Sequence, residues 1–461
     1  RPQANLLFIV EYLCMLTGLK VENLTKRHLN TLFDGVNLYA HSPSKIGLIG
    51  DNGIGKSTFL KMIAGMESPD EGKISWIGDP QVAYLPQEIL DNEYELSGGQ
   101  QKIVKLTEIF YGGFDVILLD EPDNHLDLDH REWFANLVEE YEGLLIVISH
   151  DRSFLRKYVN KIWLVEEQNV KSYDGAYNKF LELYTNEKVA QAKLYQTQFK
   201  EQERLKESVN RMKVWVKMND AFAGRYRSAI KRYERHVEGM VKRPELKKEI
   251  KLSVGLAEQA KRKTAMYLEH LVKSYGEKEV LKDINLHLFC GEKVAIQAPN
   301  GSGKTTLLSI VSGALKMDSG RMRIGNGLKL GVYTQDHNVA LNDDLSPVEL
   351  LRNYLPFSEP QAVSHLAKFL FSYDQMRGKI KFLSGGQKSR LQLACFLATN
   401  PDLLILDEPT NHLDLTTVQL LEDFLKTYAG AILLVSHDRE FVESVVEKIY
   451  MLKEGVLDIK L

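Results

Sequence analysis

The chain has 461 residues, 44% of them hydrophobic and 26% charged, which suits two to four water-soluble domains with buried cores. Its net charge is −3, but residues 185–263 carry 21 Lys and Arg against 10 Asp and Glu, so a basic island separates two acidic segments. Cys14, Cys290 and Cys395 are isolated, which excludes a disulfide framework or a cysteine metal site and favours a reducing cytoplasm.

The sequence predicts no membrane-spanning segment in the N-terminal residues. The longest early apolar run, Leu6 to Val10, ends at Glu11 and is far shorter than the roughly 20 apolar residues of a membrane helix. Arg1 is not an initiator residue, and Met15 begins the stretch in which the later pattern can be followed. We therefore expect residues 1–14 to be an N-terminal extension, either an upstream segment or a remnant of non-native origin.

In the first half, short apolar runs alternate with helical stretches. Lys45–Ile49, Val116–Leu119 and Leu144–Ile148 are predicted strands, and their alternation with helices is typical of an α/β fold with a mostly parallel sheet. Glycine-rich loops follow such strands here. We therefore expect a ligand at the carboxyl ends of the strands.

A glycine-rich loop, GDNGIGKST, follows the first of these strands. Its glycines permit a turn whose backbone amides wrap a β-phosphate, and the next helix directs its positive end at the anion. We expect Lys56 to reach the β- and γ-phosphates and Ser57 to hold Mg²⁺. The predicted ATP-binding residues of this loop are Gly50, Asp51, Asn52, Gly53, Ile54, Gly55, Lys56, Ser57 and Thr58.

Five short sequence words recur in the same order in both halves, which indicates an internal duplication. The first half contains GDNGIGKST, YLPQ, LSGGQQK, VILLDEPDNHLD and VISHDR, and the second contains APNGSGKTT, YTQ, LSGGQKSR, LLILDEPTNHLD and LVSHDR. In the second phosphate loop Ala298 replaces the first glycine, and we expect its methyl group to tighten the turn without abolishing binding. The predicted ATP-binding residues of this loop are Ala298, Pro299, Asn300, Gly301, Ser302, Gly303, Lys304, Thr305 and Thr306.

Acidic residues follow the predicted strand that precedes each NHLD word. Asp120 and Asp407 end apolar strands, where a carboxylate can hold the Mg²⁺ shell, and Glu121 and Glu408 follow as candidate bases for an attacking water. The predicted catalytic residues, which include one histidine placed to contact the γ-phosphate in each half, are Glu121, Glu408, His150 and His437. The predicted metal ligands are Ser57, Thr305, Gln87, Gln335, Asp120 and Asp407.

Between the two halves, apolar residues recur every three or four positions, as in amphipathic helices. One series runs from Leu205 to Val216 and another from Tyr226 to Met240, so the sequence predicts an antiparallel helical hairpin with a turn near 219–224, ended or kinked by Pro244. The cations of the second arm need an external partner, for which we expect RNA, while its tyrosines fit either base stacking or burial against the other arm. The predicted RNA-contacting residues are Arg225, Arg227, Lys231, Arg232 and Arg235.

LSGGQ is the signature of ATP-binding-cassette ATPases, and residues 19–461 resemble a tandem pair of them. The resemblance implies an α/β fold in which two P-loop ATP-binding-cassette domains are joined by the antiparallel α-helical hairpin. We expect an extension at 1–14, the first cassette with a shortened helical arm at 15–184, a basic hairpin linker at 185–263 and the second cassette at 264–461.

In this family the two cassettes close head to tail, so the resemblance implies that each signature caps the ATP held by the other cassette. The expected signature residues are Ser97, Gly98, Gly99, Ser384, Gly385 and Gly386. An aromatic residue usually stacks on adenine, and Tyr275 fits that position in the second cassette. The first cassette offers His28, which is either a smaller platform or an exposed histidine without a ligand. Since stacking contributes roughly 1–3 kcal/mol, we expect weaker binding there.

Two further words resemble the ABC-F family of translation factors: DEPTNHLD in the second cassette, and KSYDGAYNKFLELY at 171–184. The resemblance implies that the hairpin binds the ribosome through rRNA or tRNA. It also implies that hydrolysis of ATP to ADP and phosphate is coupled to modulation of translation. The chain is expected to be a cytoplasmic monomer without a membrane partner, because its own two cassettes supply both halves of each site.

The spacing of the signatures leaves rival functions open. Gln87 and Ser97 are 10 residues apart, against 49 between Gln335 and Ser384, so the first cassette lacks most of the helical arm with which transporter cassettes grip membrane domains. A short first arm is similar to antibiotic-resistance members of ABC-F, but the brief hairpin tip favours a general ribosome factor, with resistance and then a transporter ATPase as alternatives. A chromosome or repair ATPase usually has a far longer coiled coil than a linker of this length allows, at about 1.5 Å per helical residue.

Overall fold

The computed structural model describes residues 17–28, 31–87, 98–124, 126–241, 263–299, 301–333, 341–410 and 413–460. The chain divides into two compact units. The larger unit comprises Arg1–Tyr177 with Ile250–Leu461 and contains both cassettes, and the smaller unit is Asn178–Glu249.

The first cassette pairs a small antiparallel sheet with a larger, mostly parallel one. Its elements are β1 Gly18–Arg27, β2 Thr31–His41, β3 Ser44–Gly50, α1 Lys56–Ile63, β4 Glu71–Ile77, β5 Val82–Leu85, α2 Gly98–Tyr111, β6 Val116–Asp120, α3 Leu128–Glu140, β7 Leu144–Ile148, α4 Arg152–Tyr158, β8 Lys161–Glu166 and β9 Asn169–Asp174. The small sheet has the order β2-β1-β4, and the large sheet has the order β5-β6-β7-β3-β8-β9 with only β9 antiparallel.

The smaller unit is a helical hairpin. Helix α5 spans Tyr177–Met218, a 3₁₀ turn spans Asp220–Phe222, and helix α6 spans Ala223–Glu238. The turn lies where the sequence predicts it. Helix α5 begins before the predicted linker start at residue 185, because Tyr177, Phe180 and Tyr184 continue the apolar spacing of a helix. Pro244 lies outside the described residues.

The second cassette repeats the first and adds a helical arm. Its elements are β10 Thr264–Tyr275, β11 Lys278–Phe289, β12 Lys293–Gln297, α7 Lys304–Val311, β13 Ser319–Ile324, β14 Leu330–Tyr333, α8 Pro347–Tyr354, α9 Glu359–Lys368, α10 Tyr373–Arg377, a 3₁₀ turn Ile380–Phe382, α11 Gly385–Ala398, β15 Leu403–Asp407, α12 Leu415–Thr427, β16 Ala431–Val435, α13 Arg439–Val445, β17 Lys448–Lys453 and β18 Val456–Lys460. One nine-stranded sheet has the order β13-β10-β11-β18-β17-β12-β16-β15-β14. The arm consists of α8, α9 and α10, and its counterpart in the first cassette, residues 88–97, lies outside the described residues.

The central strands position the functional loops. Strands β6 and β7 are buried along their whole length, as expected for parallel strands covered on both faces. Because β6, β7 and β3 are neighbours, the loops that follow them meet at one edge of the sheet, and β15, β16 and β12 have the same order in the second cassette. This arrangement confirms the predicted α/β fold of two P-loop cassettes joined by a helical hairpin.

Aspartates of two repeated sequence motifs lie at the starts of helices. Asp127 and Asp414, which end the NHLD words, are the N-caps of α3 and α12, and their side chains accept hydrogen bonds from backbone amides in the first turn. Asp151 and Asp438 cap α4 and α13 in the same way. Capping therefore fixes where each of these four helices begins. None of the helices in the described ranges is long and apolar enough to cross a membrane.

Candidate active sites at the cassette interface

The first phosphate loop is a tight turn between β3 and α1. Gly53 and Gly55 have φ of 76° and 109°, a backbone region that favours glycine, and Gly55 is the N-cap of α1. The buried Lys56 Nζ donates to the backbone oxygens of Gly50 and Asp51 at 2.8 and 3.1 Å. Burial lowers the pKa of Lys56, which the surrounding carboxylates oppose. The lysine and the amino end of α1 therefore make this loop electropositive.

The second phosphate loop has the same form. Gly301 and Gly303 have φ of 74° and 99°, and Gly303 is the N-cap of α7. Lys304 Nζ donates to the backbone oxygen of Ala298 at 3.0 Å and contacts His437 Nε2. Ala298 is buried, so its methyl group is accommodated in the turn. Asn300 lies outside the described residues.

The two candidate bases, which directly follow strands β6 and β15, have an unusual backbone conformation. Glu121 and Glu408 have φ of 49° and 45°, which is uncommon for a residue with a side chain. Their backbone amides donate to Ile148 and Val435 at 3.0 and 2.8 Å, so each glutamate is held against the neighbouring strand. Local strain of this kind clusters at functional sites, and nothing in the sequence signalled it.

In the first cassette, three predicted residues lie together. Gln87 Nε2 donates to Glu121 Oε2 at 2.8 Å, and His150 Nε2 is 3.6 Å from Glu121 Oε1. Asn124 Nδ2 also donates to Glu121 Oε2, at 2.6 Å. The glutamine, glutamate and histidine of the repeated words therefore converge on one point after β6.

The second cassette places His437 beside Glu408. The histidine Nε2 is 3.5 Å from Glu408 Oε1, and its backbone amide donates to Glu408 Oε2 at 3.2 Å. Burial raises the pKa of Glu408 to about 7. Burial, together with the Lys304 ammonium, lowers the pKa of His437 to about 3. Gln335 lies outside the described residues.

The residues predicted to hold a metal fit a magnesium ion. Asp120 ends β6 and is buried, and its Oδ1 has no hydrogen-bond partner within the described part of the chain. The Ser57 side chain is hydrogen-bonded to the same carboxylate, although burial still raises the pKa of Asp120. Burial raises the pKa of Asp407 too, which Lys304 opposes. Carboxylate and hydroxyl oxygens are the ligands that Mg²⁺ prefers.

The first phosphate loop and the second signature meet across the cassette interface. A Cβ built on Gly53 would lie 3.3 Å from Ser384 Cβ, and a Cβ built on Gly386 would lie 2.8 Å from Asn52 Cβ. Ser384 is also the N-cap of α11. Two helix amino ends, those of α1 and α11, therefore face one site built from both cassettes.

The second ATP site, at Lys304, also lies close to residues of the first cassette. Asp127 and Arg131 of the first cassette are among the charges that act on the pKa of Lys304, so the loop before α3 lies close to the second phosphate loop. Gly98 and Gly99 begin α2, whereas Ser97 lies outside the described residues.

The two candidate adenine platforms are both open to solvent. Tyr275 is 53% exposed at the end of β10, with Lys273 Nζ 5.7 Å from the ring centroid. The His28 side chain is 52% exposed, and its Nε2 is 3.5 Å from Glu67 Oε1. Tyr275 is the last residue of β10 and His28 directly follows β1, so either ring can stack on a base from solvent.

Two residues of the site, Lys102 and Arg390, were missed from the sequence. Lys102, on α2, is buried and donates to the backbone oxygens of Glu121 and Asn124 at 2.7 and 3.4 Å. Arg390, on α11, donates to Thr417 Oγ1 at 3.1 Å and to Asp414 at 3.4 Å. They could have been found from the sequence, because each is a cation shortly after an LSGGQ motif at a helix position that should face the core.

The predicted RNA-contacting side chains lie on α6. All five cations are exposed: Arg225, Arg227, Lys231, Arg232 and Arg235. Tyr226 and Tyr233 are half-buried, which agrees with packing along the hairpin. At the tip, the rings of Trp215 and Phe222 are 5.6 Å apart, and the Arg225 guanidinium lies 5.8 Å from the Phe222 ring.

Known families match most of the chain. A family model described as an ABC transporter matches residues 33–88 and 281–411, and another with that description matches residues 163–253. The uncharacterized ABC transporter ATP-binding protein YfmR of Bacillus subtilis is 30% identical over 95% of this chain and 82% of its own length. Ribosome protection protein VmlR of Bacillus subtilis is 31% identical over 90% of this chain and 82% of its own length.

More distant matches agree with the fold. ABC transporter F family member 2 of Arabidopsis thaliana is 28% identical over 96% of this chain and 77% of its own length. A crystal structure of archaeal ribosome recycling factor aABCE1 with ribosomal stalk protein aP1 matches with a TM-score of 0.63 and 19% identity, over 94% of this chain and 89% of that chain. The fold and the paired sites define a tandem ATP-binding-cassette ATPase. Within that class, the chain belongs to the ABC-F family.

Proposed function

We propose that the protein hydrolyses ATP to ADP and phosphate at two sites, each built from the phosphate loop of one cassette and the signature of the other. The observation that carries this proposal is the contact of Gly53 with Ser384 and of Gly386 with Asn52. These residues belong to two different repeated words in two different cassettes. Bound triphosphate at this position would touch both cassettes and favour their closed arrangement.

The chemistry assigned to each site follows from its residues. Lys56 and Lys304 would bind the β- and γ-phosphates, and Glu121 and Glu408 would accept the proton of the attacking water. A glutamate whose pKa lies near neutrality, as burial gives Glu408, is well matched to a general base.

Mg²⁺, when bound, would neutralise phosphate charge and orient the γ-phosphoryl group. Its proposed protein ligands are Ser57 with Asp120 in one site and Thr305 with Asp407 in the other, joined by Gln87 and Gln335. The histidines His150 and His437 would contact the γ-phosphate.

We further propose that the hairpin binds the ribosome and that the nucleotide state controls this binding. Support comes from the exposed cations of α6 and from a relative named a ribosome protection protein. Cations on one helix can neutralise RNA phosphates, and the exposed Trp215 ring at the tip can stack on a base. The proposed setting is the cytoplasm, with a monomeric chain divided into cassettes at 15–184 and 264–461 and a linker at 185–263.

A second candidate function is protection of the ribosome from an antibiotic. The match to VmlR favours it, as does the short spacing between Gln87 and Ser97. The tip connection of Asn219 and the 3₁₀ turn Asp220–Phe222 is brief, however, which favours a general translation factor. Antibiotic susceptibility of cells with and without the gene separates the two candidates.

The experiment that tests the proposal uses the double variant Glu121→Gln/Glu408→Gln. We expect it to bind ATP, to lose turnover and to remain with ribosomes when lysate is sedimented in the presence of ATP. The matched control is Glu167→Gln/Glu454→Gln, because both glutamates also have positive φ, at 50° and 51°, but lie in exposed turns. Release of the first variant from ribosomes at the rate of the control would contradict the proposed cycle.

A further inference from the structure

The two SHDR words make different contacts across the cassette interface. Arg152 Nη2 donates to Glu422 Oε2 on α12 at 2.8 Å, and both side chains are only 6% exposed. Arg439, at the same place in the second cassette, donates to Glu132 Oε1 on α3 at 2.8 Å, but those side chains are 50% and 65% exposed. These two ion pairs therefore differ in burial although they have equal length.

Further contacts across the interface surround Arg152. Arg152 Nη1 donates to Gln419 Oε1 at 3.2 Å, and Glu440 Oε1 lies 3.7 Å from Arg152 and 3.0 Å from Arg156. In α3 the residue at the place of Glu422 is Ala135, which has no carboxylate to offer. The asymmetry therefore originates in the side chains themselves.

Burial decides how much each ion pair matters. An exposed ion pair contributes little to stability because water and salt screen it. Close charge pairs that are buried and hydrogen-bonded at a protein interface have large measured coupling energies, and truncating one partner speeds dissociation. Separation of the cassettes at Arg152 and Glu422 is therefore expected to be resisted, whereas separation at Arg439 and Glu132 is not.

The buried pair connects to the first ATP site from both cassettes. On one side, Arg152 follows His150 of that site by two residues. On the other side, Glu422 lies on α12, whose N-cap is Asp414. Asp414 Oδ2 would lie 3.1 Å from a Cβ built on Gly386, the signature glycine that faces Asn52. Helix α12 thus links the buried pair to the signature that covers the first phosphate loop.

We propose that Arg152 is a positioning residue that keeps the first ATP site assembled without nucleotide, while the second site separates freely. This inference rests on the proposed function for the location of the two ATP sites. It adds that the two sites are not equivalent. The first site would bind ATP in a nearly closed state, and the second would bind it in an open state that ATP then closes.

The test measures the distance between the cassettes in protein free of nucleotide and ribosomes. After replacement of the native cysteines, spin labels at the exposed Met66 and Phe382 report on the first site, and labels at Ala314 and Tyr111 report on the second. We expect a narrow distance distribution for the first pair and a broad one for the second. Equal widths in the wild type would overturn the inference.

Variants assign the effect to the buried pair. Arg152→Met should broaden the distribution at the first site, and Arg439→Met should change neither site. Arg152→Met with Glu422→Leu should lose less than the sum of the two single changes, because the partners contact each other. Equal effects of Arg152→Met and Arg439→Met would contradict the inference. Circular dichroism of each variant identifies any that fails to fold, and Arg152→Lys, which retains the charge, then serves in place of Arg152→Met with a smaller broadening expected.

Kinetics provide a second readout. In a Glu408→Gln background, where only the first site turns over, Arg152→Met should raise KM for ATP by about tenfold and leave kcat unchanged, since saturating ATP restores closure. A lower kcat with unchanged KM would overturn the positioning role. Loss of ATPase activity in every protein, with the distances as expected, would instead refute the proposed function and leave the asymmetry standing.

Discussion

Gly386 of the second signature lies against Asn52 of the first phosphate loop, with 2.8 Å between the Cβ of Asn52 and a Cβ built on the glycine. A methyl group here cannot fit while the cassettes are closed. Overpacking of this kind costs roughly 1–3 kcal/mol, so we expect Gly386→Ala to reduce ATP hydrolysis at the first site by about tenfold. Steady-state ATPase activity in a Glu408→Gln background measures this. Gly224→Ala is the control, because a Cβ at Gly224 meets nothing within 4 Å, and an equal loss in that variant would argue against a steric cause.

Lys102 is expected to support the loop that carries Glu121. Its ammonium donates to the backbone oxygens of Glu121 and Asn124, and hydrogen bonds from charged groups contribute about 1.5–3 kcal/mol. Lys102→Met should therefore lower the activity of the first site by about tenfold while the protein still folds. The control is Lys105→Met on the same helix, where the lysine is exposed and pairs with Glu108 at 3.1 Å. Equal activity of the two variants would disprove the supporting role.

The adenine platforms predict unequal affinities for ATP. Tyr275→Ala should weaken nucleotide binding at the second site by roughly 1–3 kcal/mol, because the variant lacks the exposed aromatic ring on which we propose that adenine stacks. His28→Tyr should strengthen binding at the first site by enlarging the ring. Titration with a fluorescent ATP analogue measures each site alone when the other site is disabled. Lys56→Ala disables the first site for the Tyr275 variant, and Lys304→Ala disables the second site for the His28 variant. Unchanged affinity in both variants would exclude stacking at these positions.

The exposed cations of α6 should carry ribosome binding by neutralising RNA phosphates. Arg232→Gln/Arg235→Gln should weaken binding and reduce the slope of log affinity against log salt by about 1 for each phosphate that is no longer neutralised. ATP hydrolysis without ribosomes should not change. The matched control, Arg321→Gln/Arg323→Gln, removes two exposed arginines from strand β13. If both variants weaken binding equally, net charge rather than the hairpin surface explains the effect.

The sequence predicted the parts of the site that depend on local order. Lys56, Asp120, Glu121 and His150 stand at fixed places after strands, so chain order alone indicated that they would meet at the sheet edge. The hairpin was equally predictable, since its apolar spacing and its turn are local features. The residues that follow the strands and the helical hairpin could be predicted because each is marked by a pattern in its own stretch of sequence.

The ion pair of Arg152 with Glu422 between the cassettes could not be predicted in the same way. Arg152 and Glu422 are far apart in the chain, and nothing in their local sequence identifies them as partners. The contrast between Glu422 and Ala135 acquires meaning only once the two helices are placed at one interface. Backbone strain at Glu121 and Glu408 was also invisible, because it depends on the neighbouring strand rather than on residue type.

The central claim is that one ATP molecule contacts both cassettes, and a structure of the Glu121→Gln/Glu408→Gln variant with ATP and Mg²⁺ tests it most directly. We expect Ser384 and Gly386 to contact the γ-phosphate of the ATP held by Lys56, with the reciprocal signature on the ATP held by Lys304. Triphosphate bound at Lys56 but contacted only by residues of the first cassette would contradict the account.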